Sequence, residues 1–198
     1  FNLTKYPTYF PFSKIKQIKG QSLQVMTSSP NTNLIHLFLQ NGFKCKRHCY
    51  TPEVTKKDLK IQLNSNYSIH PFNTNSKNYS ALCHLLYKYY QEVHQVVSPL
   101  TVSEDTFVKE VPTQSGYYSM NNENTIENCV FTENNEIAYI CSFNEKSCDL
   151  FIQAVLSKMF NKYSSIFFEA DDTDWAATKL LDCFNVDKEN SFNTYIYE

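Results

Sequence analysis

Two stretches of this chain, Leu23–Tyr50 and Ile166–Tyr197, carry one pattern at a constant offset, and any fold must accommodate both. Each reads as strand, polar turn, amphipathic helix, break and second strand. In the later stretch, Ile166-Phe-Phe-Glu-Ala170 is β-branched and aromatic, and Asp171-Asp-Thr-Asp174 stops the strand and can cap a helix. Trp175, Ala176, Ala177, Leu180, Leu181 and Phe184 then recur at helical spacing, before a strand-like Phe192–Tyr197. The earlier stretch runs Leu23–Met26, then Asn31, Leu34, Leu37, Phe38, Gly42 and Phe43, then Cys49-Tyr50. Asn31 meets Asp174, Leu34 meets Ala177, Leu37-Phe38 meet Leu180-Leu181, and Gly42-Phe43 meet Asn185-Val186, at an offset of 143 residues (174 minus 31) without a gap. The coincidence predicts two strand-helix-strand units of one kind.

Glycine narrows the function classes. Only Gly20, Gly42 and Gly116 are present, so no Gly-rich phosphate cradle of Walker or dinucleotide-binding spacing can be written. A hydrophobic fraction of 42% over 198 residues supports one ordinary core plus a smaller unit. The seven cysteines are odd in number and lie mostly within apolar runs. That pattern reads as buried free thiols in a reducing compartment, so an intracellular, cytoplasmic protein is expected. No run reaches the length of a membrane span, and no secretory segment is visible. The sequons at Asn2, Asn66 and Asn78 are what an Asn-rich chain produces by chance, and a start at Phe1 reads as a fragment or processed product.

Charge is uneven. Residues 1–60 hold ten Lys/Arg against Glu53 and Asp58, and residues 61–198 hold eight against eighteen acids. Either the basic part meets an anionic or protein partner, or the two parts attract each other. Nucleic acid is disfavoured, because a basic surface interleaved with aromatics is wanted and only Tyr50 adjoins Lys44, Lys46, Arg47 and His48. Cys45-Lys-Arg-His-Cys49, with His36 and His84 as completions, gives one tight ligand pair where structural zinc shows two, so no metal is expected.

In chain order, Lys14–Lys19 has the mixed spacing of an edge strand or irregular segment. Residues 51–65 read as a linker. Tyr67–Phe72 is a strand, and a helix capped by Ser76 or Asn78 runs to about Val96 on an apolar stripe that includes Leu82, Leu86 and Tyr89. Thr101-x-x-Glu104 is a capping box opening a short second helix. Strands follow at Tyr117–Met120, Ile126–Phe131 and Ile137–Phe143, with Asn-rich hairpin turns between them. A helix from about Asp149 to Tyr163 leads into the second repeat.

The spacing Asn-x-x-Ala-x-x-Leu-Tyr-x-x-x-Gly-Phe after a strand resembles the C-terminal signature of the GCN5-related N-acetyltransferases, the GNAT superfamily. The first copy keeps Asn31, Leu37, Gly42 and Phe43 and has Phe38 in the Tyr place. The second keeps Ala177 and Leu180 and departs at Asp174, Leu181, Asn185 and Val186. Tyr67-Ser-Ile-His-Pro-Phe72 is similar to the family's opening strand, and the order β-α-α-β-β-β-α-β-α-β over 66–198 is the family's order. The resemblance implies an α/β fold, a GNAT-like mixed twisted sheet flanked by helices at 66–198, preceded by a partial second GNAT unit at 1–50 and the linker 51–65.

It also implies acetyl-CoA, or another acyl-CoA, as acyl donor to an amine-bearing small molecule or peptide, by direct attack on the thioester. The family's pyrophosphate loop maps to Asn144–Asp149, giving Phe143, Glu145, Lys146, Ser147, Cys148, Asp149 and Asp174 as the donor-binding set. Ser147 and Asp149 stand where the family has small glycine-type residues, so the helix N-terminus is left to hold the anion. Both copies lack the family's acid Tyr. Tyr139 is the candidate replacement acid, and Glu169 and Asp171 are the candidate amine-binding or basic carboxylates; the same acids also read as an N-cap cluster. The alternative to an enzyme is a non-catalytic GNAT-fold interaction module with a degenerate CoA site.

Overall fold

In the computed structural model, which describes residues 10–112 and 115–198, the chain divides into two units: residues 1–50 with 187–198, and residues 51–186. The sequon at Asn2 lies outside the described residues.

The first unit holds α1 (Phe12–Lys19), β1 (Leu23–Ser28), α2 (Thr32–Gln40) and β2 (Lys44–Tyr50). Lys14–Lys19, expected as an edge strand or irregular segment, lies instead in helix α1, closed by Gly20 in the left-handed region. The helix turns Phe12 onto an aromatic cluster and sets Lys16 Nζ 5.9 Å from the centre of the Tyr197 ring. Thr32–Gln40 is helical, flanked by Asn31 and Asn41 as its caps. The last strand of the chain, β10 (Phe192–Tyr197), lies between β1 and β2 and is antiparallel to both. Leu23 pairs with Tyr197 and Ser28 with Phe192, while Cys49 pairs with Phe192 and Lys44 with Ile196. The β1-α2-β2 crossover therefore leaves a strand-wide gap that only the C-terminus fills.

Phe38, Phe43 and Tyr195 form the buried centre of this unit, with Phe12, Leu34 and Tyr197 packed around them. Gly42 has φ +89°, and a Cβ there would meet the Tyr197 ring at 3.2 Å. The chain leaves α2 through a conformation that costs an L side chain and gives space to that ring. Among the buried polar groups, Arg47 donates from Nη2 to Thr194 Oγ1 at 3.1 Å across the β2–β10 pair.

The second unit is built on a six-stranded sheet in the order β3-β8-β7-β6-β5-β4. Its strands are β3 (Glu53–Thr55), β4 (His70–Phe72), β5 (Ser115–Met120), β6 (Ile126–Glu133), β7 (Glu136–Ser142) and β8 (Ser165–Phe168). A two-residue extended segment, β9 (Ala170–Asp171), follows β8. The helices are α3 (Tyr79–His94), α4 (Glu104–Val108), α5 (Glu145–Lys162) and α6 (Trp175–Asp182). From β4 to β7 every pairing is antiparallel, β7–β8 is parallel, and β3 closes the far edge antiparallel to β8. Gly116 is enforced by packing: a Cβ would fall 2.2 Å from Phe72 Cζ and 2.4 Å from the Val130 carbonyl. The α/β class, a mixed sheet with flanking helices, agrees with the expectation.

Three boundaries differ. Residues 51–65 are part of the second unit rather than a linker: Val54 is buried in β3, and Thr55 and Asp58 form a capping box with Thr55 N donating to Asp58 Oδ2 at 2.7 Å. Lys60 N then donates to the Cys183 carbonyl and Asn185 N to that of Asp58. Residues 187–198 leave the expected 66–198 domain for the first unit, because β10 completes its ladder there. Helix α4 is capped by Ser103, which accepts from Thr106 N, rather than by Thr101.

Cys83, Cys129, Cys141, Cys148 and Cys183 are buried, Cys45 and Cys49 half-buried, and all seven are free thiols. Among the described residues no helix is long and apolar enough to cross a membrane.

Candidate active site

Strands β7 and β8 pair through only two residue couples, Glu136 with Phe167 and Ile137 with Phe168. Beyond Ile137 the two strands no longer pair with each other, and a cavity of about 350 Å³ lies at this opening. Leu86, Tyr89, Tyr90 and His94 from α3 line it, as do Glu133, Glu136 and Ile137–Ile140 on and beside β7. Glu169, Asp171 and Asp174 come from the segment after β8, and Ala177 and Leu180 from α6. The sequence candidates Tyr139, Glu169, Asp171 and Asp174 are thus gathered in one cavity. Among the described residues, no group of three or more His, Cys, Asp or Glu side chains is placed to hold a metal.

Helix geometry sets the floor. Asp174 caps α6, its Oδ1 accepting from Ala176 N at 3.0 Å and Ala177 N at 3.1 Å. The Tyr89 hydroxyl donates to the same oxygen at 2.6 Å and accepts from Ala176 N at 3.3 Å. Burial pushes the Tyr89 hydroxyl far above the usual tyrosine range, and the adjacent carboxylate pushes it further. Burial also raises Asp174, against the opposing hydrogen bonds from Tyr89 and the α6 backbone.

His94 faces two acceptors, with Nδ1 3.0 Å from the Tyr90 carbonyl and Nε2 3.2 Å from Asp171 Oδ2. One neutral tautomer can donate to only one of them, so both contacts are satisfied when a proton sits on each nitrogen or on Asp171. Tyr90 stacks on this ring at 3.8 Å and meets Tyr139 edge-on.

At the mouth, burial raises Tyr139, and the carboxylates of Glu169, Glu110 and Glu136 add to the effect. Glu136 is raised by burial first and then by Glu133 and Glu169. The cavity therefore combines aromatic walls with a ring of carboxylates, a surface suited to a cationic amine.

The donor-loop candidates form a different feature. Helix α5 begins at Glu145, four residues before the expected Asp149, because Asn144 caps it by accepting from Lys146 N at 3.0 Å. Asn144 Nδ2 donates to Glu127, and Ser147 Oγ joins a buried network through Asn128 to Ser119 and Ser142. Glu145 and Lys146 are exposed, Cys148 is buried in the core, and Asp149 takes an ion pair from Lys179 Nζ at 2.9 Å. Phe143, though partly exposed, meets the Tyr89 ring edge-on at 6.0 Å. With only Phe143 and Asn144 between β7 and α5, no loop is left to wrap a diphosphate.

In the place of the family's Tyr, Leu181 and Phe38 are both buried in their own cores. Sequence reasoning missed Glu110, Glu133 and Glu136, and also His94, which pairs with an Asp 77 residues away. Only the helical phase of Tyr90 and His94, four apart, carried a signal.

No protein-family model matches the sequence, and no curated protein matches it. Solved structures do. A GCN5-related N-acetyltransferase from Sphaerobacter thermophilus superposes with a TM-score of 0.56 at 9% identity, over 88% of this chain and 59% of that one. A protein from Enterococcus faecalis V583 described as a probable N-acyltransferase gives 0.53 at 10% identity, over 94% and 47%. A GCN5-related N-acetyltransferase from Anabaena variabilis ATCC 29413 gives 0.51 at 9%, over 94% and 48%. The chain spans about half to three fifths of the length of these proteins. At such identity the likeness is one of architecture, and the architecture of this chain is that of the GCN5-related N-acetyltransferases.

Proposed function

We propose that this protein is a GNAT-type N-acyltransferase that moves an acyl group from acyl-CoA to a cationic amine. The observation that carries the reading is the opening of β7 from β8 beside a carboxylate-lined cavity. Acyl-CoA would supply the acyl group as an activated thioester. The strand edge of Ala138–Ser142 fits a pantetheine arm, since it offers backbone donors and acceptors along an edge that β8 has left. At the phosphate end only the first turn of α5, with Lys146 and Ser147, is offered.

In this reading Glu110, Glu136 and Glu169 draw in the ammonium group, and Glu169, exposed at the cavity mouth, takes its proton. Asp171, held by His94, fixes the charge of the wall. Tyr139 donates a hydrogen bond to the reacting group; its raised pKa suits it to that role better than to giving up a proton. The gapless register also supports reading residues 1–50 as a partial second copy of the same unit.

A second reading, a GNAT-fold binding module without acyl transfer, is favoured by the β7–α5 junction, where the Asn144 side chain already takes the Lys146 N–H. Calorimetric titration of acetyl-CoA, followed by a thiol-release assay with a panel of mono- and diamines, separates the two. Heat, thermal stabilisation and thiol release are expected, with Glu169→Gln lowering release without abolishing acetyl-CoA binding. No heat and no stabilisation at millimolar acetyl-CoA would leave the module.

A further inference from the structure

Two thiols that acyl transfer does not use face each other inside the sheet of the second unit. Cys129 on β6 and Cys141 on β7 are directly opposed in the antiparallel register, and both are 0% exposed. Their Sγ atoms lie 2.9 Å apart. That is closer than the about 3.5–4.0 Å of ordinary non-bonded contact. Opposed residues of an antiparallel pair hold their Cα atoms about 4.5–5.5 Å apart. This lies inside the about 4.4–6.8 Å that a disulfide spans, so the strands need no rearrangement to be bridged. The neighbouring couples hold the register: Val130 pairs with Ile140 on one side, and on the other Ser142 Oγ donates to Asn128 Oδ1.

We propose that Cys129 and Cys141 are a built disulfide site, which a low-molecular-weight disulfide oxidises to a cystine stapling β6 to β7. One thiolate of the pair attacks a sulfur of the small disulfide, forming a mixed disulfide and expelling one small thiolate. The second protein thiol loses its proton and attacks the protein sulfur of the mixed disulfide. The Sγ–Sγ bond forms, the second small thiolate leaves, and the pair's two protons end on the two released thiols. The contact with Cys141, and then burial, raises the Cys129 thiol well above its ordinary range, so exchange in the folded state is slow. The bridge would fix β7, the strand that leaves β8 and leads into α5. This site is independent of the acyltransferase reading.

The test equilibrates the reduced protein in glutathione buffers of graded reduced-to-oxidised ratio, once starting folded and once refolding from denaturant, which removes access as a variable. Alkylation in denaturant and peptide mapping follow. Oxidising buffers should lower the alkylatable thiols from seven to five (seven minus the bonded two), with loss of two hydrogens and a link between the peptides holding Cys129 and Cys141. Cys141→Ser should keep all six remaining thiols alkylatable in the same buffers. Seven thiols persisting after oxidative refolding, or a link at any other pair such as Cys45–Cys49, would overturn the proposal.

Discussion

The Asp174 carboxylate caps α6 and accepts the Tyr89 hydroxyl, and its burial holds its pKa above the usual carboxylate range. A carboxyl group that binds its proton more tightly folded than unfolded favours the fold while protonated. That contribution is lost as pH rises from the unfolded pKa through the raised folded one. Asp174→Asn keeps a cap acceptor and removes the titrating group. Its unfolding free energy, measured in denaturant between about pH 4 and pH 8, should lack the fall that wild type shows just above the ordinary carboxylate range. Curves that stay parallel across that window would show that Asp174 does not titrate there. Tyr89→Phe removes a donor from the same oxygen, should cost about 1–3 kcal/mol, and should move the fall to higher pH.

At the scale of elements, strand partners are drawn from distant parts of the chain. In the first unit β1 and β2 each pair antiparallel with β10, which arrives from the far end of the chain. In the second, β8 has β3, from well before it in the chain, on its outer edge. Removing residues 187–198 takes away the middle strand of the first unit, including buried Asn193, Thr194 and Tyr195. The 1–186 protein should keep the native amide spectrum of residues 51–186 and lose dispersion for residues 10–50, as read by heteronuclear NMR. Dispersed signals from both units would show that β10 is dispensable. Element types were largely legible: α2, α3, α6 and the β5–β7 meander follow from period and turn residues. The exceptions have reasons, since α1 alternates like a strand but its Phe12 is captured by an aromatic cluster, and α5 starts early because Asn144 can cap.

At the scale of the molecule, the two units differ in the size of their cores. The first is centred on Phe38, Phe43 and Tyr195, whereas the second buries Phe131, Phe151, Phe168, Phe184 and many aliphatics completely. The one tryptophan, Trp175, belongs to the second unit. Thermal unfolding should therefore be non-coincident: far-UV circular dichroism should begin to change below the transition reported by Trp175 fluorescence. A single coincident transition would mean that the two units unfold as one.

The sequence by itself determined what depends on neighbours along the chain. Helical phase, strand alternation, turn asparagines and the burial of cysteines set in apolar runs are local properties. The tertiary structure alone decided which strand joins which sheet, because backbone hydrogen bonds are alike for every residue and the choice rests on which gap a distant segment can fill. It alone joined His94 to Asp171, Tyr89 to Asp174 and Cys129 to Cys141. Such pairs arise where a helix or strand from elsewhere in the chain comes to lie, and no spacing along the chain records that position.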